Sequence, residues 1–189
     1  MADSSVADRR DTAVDSDKPL ILITGSGGFI GGALIDRLKG RARIVGMDLH
    51  QPETPAAGFA SVRVDLTEDD SVREALATVR ERFGRRVASV VHLAAYYDLS
   101  GEADPKYRSV TVEGTRRLLT GLRKGFAVEQ FIYASTMLVH APTEPGRPID
   151  ESWPLEPKWP YAQSKVDAEA VVHSARRDIP AVVLRLAGI

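Results

Sequence analysis

A chain of 189 residues is long enough to bury one substantial core, and its length argues for a single domain. Lys plus Arg number 25 against 26 Asp plus Glu, and the net charge of −1 provides no basic field for nucleic acid or acidic lipid, so neither is an expected partner. The absence of cysteine excludes disulfides, thiolate metal sites and cysteine nucleophiles, and leaves the redox compartment open.

Residues 1–18 are rich in Asp, Ser and Ala and lack the apolar core of a signal peptide; they are expected to form a disordered tail ahead of one domain over 19–189. No stretch reaches the roughly 18 to 20 apolar residues that cross a bilayer, so no membrane is expected and a cytoplasmic location follows. From Leu20 onward, short β-branched runs alternate with longer segments of helical period, the pattern of an α/β doubly wound parallel sheet. Strands are predicted at 20–24, 44–48, 61–65, 88–93, 130–134 and 181–186. Their nearly unbroken apolar interiors, as in Leu20-Ile21-Leu22-Ile23, suit strands buried on both faces.

The first strand runs into Thr24-Gly25-Ser26-Gly27-Gly28-Phe29-Ile30-Gly31, which opens a helix through Leu38. Glycines at 25, 28 and 31 make the turn tight, let backbone N–H groups approach a pyrophosphate and let the helix sit close on the sheet. An ordinary strand-to-helix turn would share the bare pattern. The context of a preceding strand, a following helix and Asp48 at the end of the second strand favours dinucleotide binding. A carboxylate at Asp48 accepts bonds from the adenosine ribose hydroxyls and repels a 2′-phosphate, so NAD is expected as the cofactor. NADP is the less favoured alternative, because Arg41, Arg43 and His50 lie close in sequence. Asp65, ending the third strand, is a candidate acceptor for the adenine amino group with Leu66 beside the ring; in isolation it serves equally as a helix-capping acid.

A helix follows with Val72, Leu76, Val79 and Phe83 at helical spacing, and Thr67 with Asp70 predicts a capping box at its start. Residues 106–124 are predicted as one longer helix with Val110, Gly114, Leu118 and Leu122 along a stripe, and 161–175 as another. The intervening 141–160 hold six of the eleven prolines, a loop too long to be only a connection. Tyr161-Ala162-Gln163-Ser164-Lys165 places a phenol and an ammonium one helical turn apart. Lowering a tyrosine pKa from about 10 by about 2 to 3 units takes roughly 3 to 4 kcal/mol. One ammonium at about 4 Å, in an effective dielectric of about 20, supplies roughly that much. A surface helix pair would show the same spacing. The four histidines, His50, His92, His140 and His173, show no metal-ligand spacing, and no metal is expected. His92 is read as a structural strand-end residue, and Trp153 and Trp159 either wall a sugar site or pack the long loop onto the sheet.

The Thr24 to Gly31 turn, His92-Leu93-Ala94-Ala95, Ser135-Thr136 and Tyr161 with Lys165, in that order, resemble the extended short-chain dehydrogenase/reductase family, which includes the nucleotide-sugar epimerases and dehydratases. The resemblance implies a Rossmann fold with NAD held by Gly25, Gly28, Phe29, Ile30, Gly31, Asp48, Asp65, Leu66, Leu93, Ala94, Ala95, Ser135, Tyr161 and Lys165. It implies catalysis by Thr136, Tyr161 and Lys165. Tyr161 takes the proton of a substrate carbinol while hydride passes to NAD, Lys165 lowers the phenol pKa and bonds the nicotinamide ribose, and Thr136, with Ser135 as its understudy, orients the oxygen. A homodimer is implied by resemblance alone.

Three places depart from the family pattern. Thr111-Val112-Glu113-Gly114-Thr115 has Thr111 in place of an Asn; Met137-Leu138 replaces the Asp-Glu pair of the 4,6-dehydratases, which counts against that branch; and His140 stands where epimerases usually have a tyrosine. After Leu186-Ala187-Gly188-Ile189 the family continues with a smaller substrate-gripping domain, so that domain is expected to be missing and the chain to bind cofactor better than it turns over substrate. The leading expectation is an NAD-dependent oxidoreductase or epimerase acting on a secondary alcohol of a nucleotide sugar. The alternatives are a non-catalytic NAD(P)-binding scaffold or redox sensor and a dehydrogenase of a non-sugar, steroid-like alcohol.

Overall fold

The apolar run 20–23 is buried because it lies at the centre of a sheet. A computed structural model describes residues 17–50, 59–98 and 100–187; the expected tail up to residue 16 lies outside them, as do residues 188 and 189. In chain order the elements are β1 (Leu20–Thr24), α1 (Phe29–Leu38), β2 (Arg43–Asp48), β3 (Ala60–Arg63), α2 (Asp69–Phe83), β4 (Arg86–Val87), β5 (Ser89–His92), a π-helical segment (Tyr107–Val112), α3 (Glu113–Gly125), β6 (Ala127–Val128), β7 (Phe131–Thr136), a 3-10 turn (Met137–Val139), α4 (Pro160–Ala175) and β8 (Ala181–Leu186). Six strands form a parallel sheet in the order β3-β2-β1-β5-β7-β8. The chain runs outward from β1 to β3 and then crosses back to β5, so the topology reverses between β1 and β5. Ligands of open α/β sheets bind at that crevice.

Alternation along each strand sends side chains to opposite faces. Leu20, Leu22, Val45, Met47 and Val90 join a large cluster with α2, α3 and α4, whereas Ile23 and Ile44 pack with Ile35 of α1. Both faces are therefore covered, as the continuous apolar runs require.

Four local expectations are corrected. The predicted strand 61–65 stops at Arg63, and the predicted strand 130–134 extends to Thr136 because Ser135 and Thr136 pair in register with Arg185 and Leu186. Residues 106–124 are not one α-helix. Tyr107–Val112 is π-helical, with the Glu113 N–H reaching back to the Arg108 carbonyl, and the wider turn buries both Tyr107 and Thr111. No Thr67–Asp70 capping box forms. The Thr67 hydroxyl and N–H both donate to the Asp65 carboxylate, at 2.7 and 2.9 Å, and Glu68 is the residue at the helix start. The small parallel pair β4–β6 was not anticipated, since two-residue strands leave no periodic signal.

The glycine turn is fixed by two close approaches. Gly25 has φ 70°, and a Cβ there would sit 2.7 Å from the Ala94 nitrogen, after β5; a Cβ on Gly31 would sit 2.4 Å from the Gly25 carbonyl oxygen and 2.8 Å from Ser26 Cα. The neighbours are backbone and cannot swing away. Gly31→Ala is expected to lower unfolding free energy by about 1 to 3 kcal/mol. Gly32→Ala, one residue on in the same helix with open space around the added methyl, is expected to raise it by about 0.5 to 1 kcal/mol. Urea unfolding of the two variants checks this, and similar effects of the same sign would contradict it.

Candidate functional site

The crevice between β1 and β5 opens into two adjoining cavities. One, of about 610 Å³, is lined by Asp48, Asp65 and Leu66 with Gly25, Gly28, Leu93, Ala94 and Ala95. The other, of about 500 Å³, shares Gly25, Gly28, Leu93 and Ala95 and continues to Phe29, Ile30, Gly31, Ser135, Thr136, Tyr161 and Lys165. Every residue expected to touch cofactor or substrate thus lies on one continuous cleft, with Asp48 at one end and Tyr161 at the other.

At the first end, Asp48 finishes β2 beside the turn: its Oδ2 accepts the Gly27 N–H at 2.9 Å and its Oδ1 the His50 N–H at 3.2 Å. The carboxylate is thereby oriented by backbone. Asp65 is held by Thr67, whose side-chain and backbone bonds keep its carboxyl below the usual range; it shapes the turn ahead of the helix rather than capping it, and it lines the cleft.

Behind the shared wall runs a buried relay centred on His92. The Thr115 hydroxyl donates to the Thr111 carbonyl at 2.6 Å, so at 2.9 Å from His92 Nε2 it acts as acceptor and Nε2 carries the proton; Nδ1 then accepts from the Thr24 hydroxyl at 2.6 Å. Burial, with the charge of Lys165 adding to it, pushes the His92 pKa down to about 3, so the ring stays neutral. The relay ends on the cleft wall: the Ala94 N–H donates to Thr24 Oγ1 and the Tyr96 N–H to Thr111 Oγ1. Thr111, the departure from the family's Asn, is therefore an acceptor that anchors the segment after β5.

At the second end, β7 places Ser135 and Thr136, and α4 places Tyr161 and Lys165 on one face. The Lys165 Nζ is 5.7 Å from the Tyr161 ring centroid and 5.0 Å from that of Tyr133, and it donates to the Ala134 carbonyl at 2.8 Å. The expected lowering of the phenol by this ammonium does not hold in this arrangement. Burial, then the neighbouring phenols of Tyr97 and Tyr107, push Tyr161 up to about 12, while burial brings Lys165 down to about 8 against the opposing pull of Glu169. Burial thus acts on the two groups in opposite directions, disfavouring the charged form of each. Ser135 and Thr136 both line the cavity, but the Ser135 hydroxyl donates to Glu169 at 2.5 Å. Trp153 packs the loop, its indole N–H donating to the Ala141 carbonyl, whereas Trp159 is exposed. Among the described residues no cluster of three or more His, Asp or Glu is arranged to hold a metal ion, and no helix is long and apolar enough to cross a membrane.

Two features escaped the sequence reading. Tyr97 lies edge-on to Tyr161, ring centroids 5.0 Å apart, and lines the cavity; nothing local signals a contact across 64 residues. Glu169 could have been found, since it continues the four-residue spacing of Tyr161 and Lys165 along α4.

The family model described as NAD dependent epimerase/dehydratase family matches residues 21–188. The chain is 31% identical over 167 residues to the UDP-glucose 4-epimerase of Mycolicibacterium smegmatis, covering 82% of this chain and 50% of that protein. It is 32% identical over 161 residues to the 2-alkyl-3-oxoalkanoate reductase of Stenotrophomonas maltophilia, covering 82% and 46%. In structure it is similar to the UDP-glucose 4-epimerase of Thermus thermophilus in complex with NAD, with a TM-score of 0.74 and 29% identity over 88% of this chain and 54% of that one. The chain spans about half the length of the curated relatives it matches.

The depressed Lys165 pKa has a consequence for stability. Between about 8 and the ordinary 10.5 the unfolded chain holds a lysine proton that the folded chain has lost, so stability rises with pH through that range. The raised phenols, Tyr161 among them, act in the opposite sense above 10. Urea unfolding just below pH 8 and again near pH 10 is expected to show a gain of about 2 kcal/mol from this group, which Lys165→Met removes. A wild-type curve that is flat or falling over that range would contradict the assignment.

Proposed function

The chain belongs to the NAD-dependent epimerase/dehydratase family, and from that premise we propose that it is an NAD-dependent oxidoreductase or epimerase acting on a secondary alcohol of a nucleotide sugar. The observation that carries this reading is that Thr136, Tyr161 and Lys165 line the same cavity as the glycine turn. The residues present suit the cofactor. Gly25 and Gly31 leave backbone where side chains would intrude, Gly28 is exposed at the start of α1, and Asp48 is oriented to accept hydroxyl protons and to disfavour the 2′-phosphate of NADP.

In this reading residues 19–189 act as the NAD(P)-binding domain. Asp48 holds the adenosine ribose, Asp65 and Leu66 border the adenine, and Lys165 holds the nicotinamide ribose. NAD, when bound, supplies the hydride acceptor and a positive charge on its oxidised ring. Thr136 donates a hydrogen bond to the substrate oxygen. Tyr161 exchanges the carbinol proton; as a neutral phenol it is already the acid needed to reprotonate a ketone, and as a base it requires the added positive charge. Lys165, spending one N–H on the Ala134 carbonyl, keeps two for the cofactor ribose. The same reading makes the protein a cytoplasmic homodimer. A scaffold without chemistry has no need of a threonine, a phenol and an ammonium gathered at one end of the cleft.

A dehydrogenase of a non-sugar alcohol is the second reading. It is favoured by the apolar and aromatic side chains Phe29, Tyr97, Met137, Leu138 and Leu186 around the catalytic set, and by the similarity to a 2-alkyl-3-oxoalkanoate reductase.

With NAD in excess and UDP-glucose as the probe, formation of the C4 epimer is expected, and Tyr161→Phe is expected to slow it by roughly 10² to 10⁴ while leaving NAD affinity by calorimetry unchanged. A phenylalanine variant that works at the parental rate would overturn the mechanism. An absence of any epimer, together with NAD reduction by a hydrophobic 3-hydroxy acid, would replace the sugar reading by the second one.

A further inference from the structure

Below the catalytic pair, α4 carries a third ionisable residue on the same buried face. Glu169 lies one turn beyond Lys165 and two beyond Tyr161, and is 2% exposed. A carboxylate so deep needs compensation. It receives three hydrogen bonds: from the Ser135 hydroxyl to Oε1 at 2.5 Å, from Arg185 Nε to Oε1 at 3.1 Å, and from Arg185 Nη2 to Oε2 at 2.7 Å. Burial pushes its pKa up, but the Arg185 and Ser135 bonds outweigh burial and hold it below the ordinary value, so it is an anion.

Each of those partners sits next to a wall of the catalytic cavity. Ser135 immediately precedes Thr136 at the end of β7. Arg185 immediately precedes Leu186 and Ala187, which line the cavity from β8. Arg185 also donates through Nη1 to His140 Nε2 at 3.3 Å, which leaves the proton on Nδ1, and Nδ1 donates to the Trp153 carbonyl at 3.1 Å. One carboxylate thus ties together α4, the ends of β7 and β8, and the proline-rich loop that leads into Tyr161.

We infer that Glu169, clamped by Arg185, is a positioning residue for the catalytic set: it fixes Thr136 through Ser135 and supplies the buried counter-charge for the Lys165 ammonium. This rests on the reading of Thr136, Tyr161 and Lys165 as the reacting set. Lys165 is faced by Tyr133 from β7, His92 from β5, and Tyr161 and Glu169 from its own helix; Glu169 is faced by Arg185 from β8 and by His173 one turn on. His92 is neutral and the phenols are protonated over the range in which Lys165 titrates, so Glu169 is the charge that holds Lys165 up against burial, and Arg185 acts on it through Glu169. An ion pair present only for stability would not transmit its charge to Lys165, nor its geometry to Thr136.

The test uses the full chain isotopically labelled at the lysine ε-carbon, with the Lys165 resonance identified by its loss in Lys165→Met and followed by NMR against pH. Glu169→Gln keeps the volume and an acceptor for Ser135 but removes the charge. It is expected to shift the Lys165 midpoint downward by about one pH unit, a tenfold change in its protonation equilibrium. With UDP-glucose and NAD, kcat is expected to fall about tenfold with little change in KM. Should the single variant not fold, Glu169→Leu combined with Arg185→Met replaces the pair by apolar groups of similar size, and a smaller shift in the same downward direction is expected, because the nearer charge is lost together with the more distant opposing one. An unmoved Lys165 midpoint in a folded variant overturns the inference. If wild type shows no turnover, the proposed reaction fails by itself, while the NMR titration still decides the role of Glu169.

Discussion

The site depends on how closely two stretches of backbone approach. The Gly25 position and the Ala94 nitrogen leave no room for a side chain between the turn after β1 and the segment after β5. That approach brings the helix start of α1, the strand end at Asp48 and the strand end at Leu93 around one crevice. It is maintained from beneath by a buried polar chain. His92, kept neutral by its surroundings, passes hydrogen bonds from Thr24 to Thr115, and the hydroxyls of Thr24 and Thr111 hold the N–H groups of Ala94 and Tyr96. A buried network of this kind rigidifies when every member is satisfied, and here each ring nitrogen and each hydroxyl has an assigned role.

The two ends of the cleft differ in how their charges are managed. Asp48 is held by two exposed backbone bonds. Lys165 and Glu169 are both buried: burial lowers Lys165, while the Arg185 and Ser135 bonds keep Glu169 ionised against it. In the proposed function, chemistry falls at the end where the protein sets the proton inventory, and recognition of the nucleotide at the end where solvent shares it. The raised phenol of Tyr161 fits this division: burial and the neighbouring phenols keep it in its acid form well above neutral pH.

Much of this was legible in the sequence because the signals are local. The glycine turn, Asp48 at a strand end and the four-residue step from Tyr161 to Lys165 each lie within one element or one connection. The doubly covered sheet was legible in its unbroken apolar runs, such as Leu20 to Ile23. What was not legible spans the chain: Ser135 meets Glu169 across 34 residues, and Thr24 meets His92 across 68. Hydroxyls and a histidine within apolar runs look like ordinary strand and helix residues until the partner is known. The π-helical turn at Tyr107–Val112 has the composition of a helix, and only its backbone bonding distinguishes it. Spacing gave the nearness of Lys165 and Tyr161 but not their burial, which raises the phenol and lowers the ammonium.

The central claim is that this cleft is built for NAD, with the Asp48 carboxylate reading the adenosine ribose. Calorimetric titration of the chain with NAD and with NADP tests it most directly. The account predicts that NAD binds at least about tenfold tighter, a difference of about 1.4 kcal/mol, and that Asp48→Asn narrows the gap. Tighter binding of NADP by the unmodified chain would contradict it.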